Sequence, residues 1–124
     1  MEAALRQFVR ERAGNRCEYC GLRQEAEPLR FHIEHIQPRQ HDGPDAALNL
    51  ALACQHCNLH KGTNLAGVDP QTRALARLFH PRLDDWDEHF SEDEGVVAGQ
   101  TAVGRATVRV LRMNEHGRAQ LRRG

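Results

Sequence analysis

Apolar positions recur at three- and four-residue intervals through residues 3–13. Leu5, Phe8 and Val9 share a face with Arg12, and Gly14-Asn15 follows. This pattern predicts an amphipathic helix with a stop signal. Cys17–Cys20 then makes a tight knuckle ending at Gly21. After Pro28 the period changes to two. Leu29–Ile36 alternates as a strand does, and Gln37–Asp45, with Pro38, Gly43 and Pro44, reads as a loop. Leu48–Ala53 supplies an apolar partner strand, and Cys54–Lys61 has room for about two helical turns before Gly62.

Beyond Gly62 the signals thin. Residues 63–72 read as loop, Ala74–Phe79 as a strand stopped by His80-Pro81, and Asp84–Phe90 as one or two helical turns. Gly95–Gln100 predicts another strand. Thr101–Met113 predicts a helix with Val103, Ala106 and Val110 on one face and Arg105, Arg109 and Arg112 on the other. A strand over Thr107–Leu111 is the competing assignment. The order suggests an α+β chain of 124 residues, a single domain with a core of about residues 15–66 and a mixed extension over 67–124.

Composition changes this picture little. Aromatics make up 5% of the chain, so the core must lean on Leu, Val, Ile and Ala. The formal net charge is zero, which argues against a simple basic nucleic-acid coat. The basic charge is local: residues 101–124 hold six Arg and a single acid, Glu115. There they could track a nucleic-acid backbone or form the solvated face of a helix. No apolar h-region follows Met1 and no run approaches membrane-spanning length, so a cytoplasmic protein with no membrane association is expected.

The four cysteines carry more information. Cys17-x-x-Cys20 and Cys54-x-x-Cys57 each let two sulfurs reach one ion from a single knuckle, and two knuckles complete a tetrahedral site suited to zinc. The site would be closed, hence structural, and would staple the base of the intervening hairpin. A redox pair or buried free thiols are the other readings. In a reducing compartment ligands are favoured over disulfides.

Inside that hairpin, "FHIEHIQPRQHDG" crowds His32, Glu34, His35 and His41 together. Strand alternation sends His32 and Glu34 to one face and His35 to the other. With Asn49 at the head of the second strand and Asn58 directly after Cys57, the segment "HIEHIQP … LNLALACQHCNLHKG" resembles the HNH endonucleases of the zinc-stapled ββα-metal type over residues 17–62. "GRATVRVLRMN" also resembles the C-terminal extension of small bacterial HNH proteins. The resemblance implies a ββα-metal core, with His35 as general base and Asn49 holding the loop and orienting that base. Glu34, where the family has Asp, would be a metal ligand together with Asn58. Asn58 replaces the third His, making an H-N-N variant. It further implies Mg²⁺ or Mn²⁺ as catalytic metal, and DNA nicking or cutting that leaves 5′-phosphate and 3′-hydroxyl ends, in a bacterial or phage-like setting. RNA stays open as a substrate.

His56 and His60 each lie two residues from Asn58, about 200° around a helix of ~3.6 residues per turn, and are not assigned as ligands. His32 reads as structural. Arg39 and His41 in the loop, Lys61 at the helix end, and Arg105, Arg109 and Arg112 are candidate phosphate contacts. Two rival functions remain. One is a catalytically inactive, zinc-stabilised nucleic-acid-binding module, for which the Glu34 and Asn58 departures speak. The other is a structural zinc domain that binds protein.

Overall fold

The period-two stretch forms a hairpin in the computed structural model, which describes residues 1–124. Strand β1 (His32–His35) pairs antiparallel with β2 (Leu50–Ala53), with His35 opposite Leu50 and His32 opposite Ala53. Both strands are shorter than their apolar runs suggest. Ala47–Asn49 coils into one 3₁₀ turn, which leaves Leu48 76% exposed and sets Asn49 just ahead of β2. All four residues of β2 are buried, because helix α1 (Ala3–Arg12) and helix α2 (Gln55–Lys61) both pack on it. Full burial of Leu50 and Leu52 is worth about 1.5–3 kcal/mol each. The cation on the apolar face of α1 also finds its reason here. Arg12 donates to the carbonyls of Ala47 (2.9 Å) and Leu50 (2.7 Å), fixing α1 to the head of β2.

The extension adds two more hairpins. Strand β3 (Ala66–Val68) pairs with β4 (Leu75–Arg77), so part of the stretch read as loop is a strand. Helix α3 (Trp86–His89) is a single turn that runs directly into β5 (Phe90–Asp93), paired with β6 (Val96–Gly99). The turn between them is Glu94-Gly95, with φ of 52° and 82°. Two consecutive left-handed residues make the two-residue hairpin loop whose twist matches the strands. Helix α4 (Ala102–Val110) packs against β3, β4 and β6, which decides against the competing strand. It is capped by the Thr101 hydroxyl, which accepts from the Gly104 N–H at 3.0 Å. It also ends sooner than expected: Arg112 has a φ of 50° and lies outside the helix. A short last helix, α5 (Arg118–Arg123), had no apolar signal of its own.

Core and extension share one cluster of buried side chains, from Val9 through Tyr19, Leu50 and Leu52 to Phe79, Phe90, Leu111 and Met113. Trp86 and Phe90 pack at 5.0 Å between ring centroids within the extension. The indole N–H of Trp86 also donates to the carbonyl of Tyr19 at 2.8 Å, binding the extension to the first cysteine knuckle. No helix is long and apolar enough to cross a membrane.

Candidate functional site

The hairpin brings the two cysteine pairs together. The N–H of Cys20 faces the sulfur of Cys17 (3.5 Å), and the N–H of Cys57 faces the sulfur of Cys54 (3.4 Å), which thereby caps α2. The sulfurs of Cys20 and Cys54 are 3.8 Å apart, and all four lie within 4.8 Å of one another. A tetrahedron of about 2.3 Å zinc–sulfur bonds has edges of about 3.8 Å. All four are free thiols and at most 2% exposed. Burial pushes the Cys17 thiol well up, a cost that a central cation removes by holding thiolates. The four cysteines are a buried metal-binding cluster that fits a structural zinc. Arg118 of α5 reaches the same place, with one nitrogen 3.5 Å from the Cys54 sulfur and another 3.1 Å from a Glu27 oxygen.

At the far end of β1, His35 meets a carboxylate that sequence reasoning passed over. Its Nε2 lies 2.6 Å from Asp45, and Arg39 contacts both oxygens of the same carboxylate at 3.1 Å. The hydrogen bond with His35, followed by Arg39, holds the Asp45 carboxyl below its usual range. Asp45 ends the loop that Asn49 ties. The Gln37 N–H donates to the Asn49 oxygen at 2.9 Å, and the Asn49 amide donates to the carbonyls of Gln37 and Pro44, both at 3.0 Å. The loop is tight enough that a Cβ on Gly43 would overlap the Gln37 carbonyl and meet the Asn49 amide at 2.9 Å. His41 is exposed and its carbonyl accepts from the Gln37 amide. His32 is exposed at the start of β1.

Glu34 faces inward, 6% exposed. It accepts from the Tyr19 hydroxyl at 2.6 Å and stands 2.5 Å from the Lys61 ammonium. Burial pushes its carboxyl up, and Lys61 pulls it partly back. Asn58 is half-buried and lies one turn before Lys61 on α2.

Two expected phosphate contacts need correcting. Lys61 is 2% exposed and spent on Glu34 and on the Ile36 carbonyl (2.9 Å), so it is an internal cation with no face toward a ligand. The Arg105, Arg109, Arg112 stripe is not continuous. Arg105 forms a two-point ion pair with buried Asp69 (2.9 Å each), and Arg112 has left the helix. Arg109 alone keeps an exposed position on α4. Arg105 looks like a free cation in sequence because its carboxylate partner, Asp69, is distant in the chain.

A family model described as HNH endonuclease matches residues 17–64, which takes in both cysteine pairs, the β1–β2 hairpin and α2. This stretch is an HNH domain. Its small mixed α and β core with clustered cysteines is the zinc-stapled ββα arrangement expected of it. Over most of its length the chain is similar to the Septu protein PtuB of Bacillus thuringiensis. The two are 28% identical over 108 residues, which is 85% of this chain and 39% of that protein's length. The chain therefore spans about two fifths of the relative it matches. No solved structure matches it. HNH domains in general are nucleases acting on nucleic acids.

Proposed function

We propose that this chain is a cytoplasmic, divalent-metal-dependent endonuclease that nicks or cuts DNA by hydrolysing phosphodiester bonds, with His35 as general base. The observation that carries the reading is the His35–Asp45 contact at the mouth of a loop tied by Asn49. An imidazole, with an unperturbed pKa of about 6.5, can take a proton from water near neutral pH. The Asp45 carboxylate fixes which way the ring points, and Asn49 fixes the loop that carries Asp45. Asp45 is thus a positioning residue. Arg39 and His41, both exposed beside it, supply phosphate contacts. Arg109 gives a more distant one, while residues 67–124 buttress the core.

Glu34 and Asn58 are the proposed ligands of the catalytic metal. Their donors are a carboxylate and an amide oxygen, which suit Mg²⁺ or Mn²⁺. One Glu34 oxygen is buried without a hydrogen bond and faces a cation, the Lys61 ammonium. That oxygen is built to meet positive charge. When bound, the metal supplies Lewis-acid stabilisation of the phosphate and the leaving oxygen. The Lys61 contact also supports a second reading, a catalytically silent nucleic-acid-binding module in which the lysine permanently occupies the carboxylate.

Supercoiled-plasmid nicking in Mg²⁺ or Mn²⁺ distinguishes the two. The wild type should nick, and a folded, zinc-loaded His35→Ala variant should not. Equal cutting by both removes His35 from the mechanism. Binding without cutting by the folded wild type favours the silent module, and a parallel RNA substrate decides the nucleic acid.

A further inference from the structure

Helix α2 carries a second set of donors, turned away from the cleft. His56 and His60 are four residues apart, so their rings lie on one face, 4.4 Å between centroids. Asn58 is about 200° away around the helix, by the ~3.6-residue turn. Facing the two rings is Glu115, in the connection between α4 and α5. Its Oε2 lies 3.6 Å from Nε2 of His56 and 3.6 Å from Nε2 of His60. One ligand atom from each residue falls within a 4.8 Å set.

Those distances are longer than a hydrogen bond, which runs about 2.7–3.2 Å for N–H···O. They are close to the edge of a tetrahedron built from bonds of about 2.0–2.2 Å, which is about 3.3–3.6 Å. The His56 and His60 side chains are only 15% and 22% exposed, so packing already fixes their rings, while Glu115, at 46%, opens the set to solvent. His56 Nε2 also lies 2.8 Å from the Arg112 carbonyl. Without an ion that nitrogen donates to the carbonyl. To hold an ion, His56 would take the other tautomer and give up this hydrogen bond, and the Arg112 carbonyl would have to turn aside or become a ligand itself. The Arg112 guanidinium is 3.9 Å from Glu115, but it is 60% exposed and free to swing into water.

We propose that His56, His60 and Glu115 form a second metal site, for a divalent ion of the zinc class, that clamps the C-terminal extension to the HNH helix. Two imidazoles and a carboxylate are a zinc donor set that leaves a fourth position for water. The proposal does not depend on nuclease activity. It gives the extension a reason to sit on α2: the site has two ligands from the core and one from residues beyond α4.

The test uses tag-free full-length protein. Zinc per chain is measured by elemental analysis at equilibrium with buffered free zinc, for wild type, His60→Ala and Glu115→Gln. The wild type should take two zinc ions, and each variant one. Cobalt substitution of the variants should keep the sulfur-to-cobalt charge-transfer band, which reports an intact four-cysteine site. The second equivalent should slow amide exchange over residues 111–118 in the wild type and leave it unchanged in His60→Ala. A wild type that never exceeds one zinc overturns the proposal. So does a second zinc that survives both substitutions, because it is then held elsewhere. Unchanged exchange on adding the second equivalent to the wild type overturns the clamp.

Discussion

Replacing Lys61 by Met tests how the interior of the HNH domain handles charge. Methionine keeps most of the aliphatic stem and removes the ammonium. The lysine is 2% exposed, stands 2.5 Å from Glu34 and donates to the Ile36 carbonyl at 2.9 Å. Removing one partner of a buried pair costs roughly 3–5 kcal/mol, because the other charge stays buried. Glu34 has one way out, which is to take a proton. From an unfolded value of about 4.3 to pH 7, that costs about 3.7 kcal/mol at 1.36 kcal/mol per unit. The cheaper route sets the deficit, so Lys61→Met should lose about 3–4 kcal/mol at neutral pH. A domain with roughly 5–15 kcal/mol in hand would fold but melt early.

The assay is urea denaturation of zinc-loaded protein, followed by the fluorescence of Trp86. This tryptophan is the only one in the chain and donates to the carbonyl of Tyr19, the residue whose hydroxyl bonds Glu34. The double variant Glu34→Gln/Lys61→Met carries no buried charge, and it should recover to within about 1–2 kcal/mol of wild type. On the proposed reading of Glu34 as a ligand, Mn²⁺ should restore stability to Lys61→Met and leave the double variant unmoved. A single variant within 1 kcal/mol of wild type (about one ordinary hydrogen bond), or a double variant no better than the single, would refute the charge argument.

Further outcomes follow from the site. Asn49→Ala loses three hydrogen bonds across the loop and should destabilise the protein by about 1–3 kcal/mol in chemical denaturation while sharply reducing nicking. Asp45→Asn should lower kcat by about tenfold to a hundredfold with KM and melting temperature nearly unchanged, and a matched fall in stability would make it a structural residue instead. Stripping zinc with a strong chelator should unfold residues 17–64 as one transition, because structural zinc contributes about 10–16 kcal/mol in small domains; a protein that keeps its circular dichroism without metal contradicts the staple.

The parts legible in sequence were those written in short-range pattern. Paired cysteines, the alternation of β1 and the apolar run of β2 each announce themselves within a few residues, and the HNH resemblance gathered them. What escaped was set by partners far along the chain. Lys61 and Arg105 looked like surface cations because nothing local reveals Glu34 beneath one or Asp69 beneath the other. Asp45 sits in a loop with no periodicity and acquires meaning only when Asn49 brings it to His35. Strand β3 is three residues with a glycine at its centre, too short to signal, and it is held by β4 and α4. Strand β5 hides in an acidic run, stabilised by Phe90 at its buried end and by the Glu94-Gly95 turn.

The contact between Arg118 and the Cys54 sulfur bears on how the protein withstands oxidants. Four thiolates around Zn²⁺ carry a formal charge of about −2, and that excess makes sulfur a target for electrophiles. A guanidinium 3.5 Å from one sulfur, itself anchored by Glu27, withdraws electron density from it. Cys54 should therefore be the slowest of the four to alkylate or oxidise. With zinc bound there, the last helix, six residues long, would serve as a chemical shield over the four-cysteine cluster.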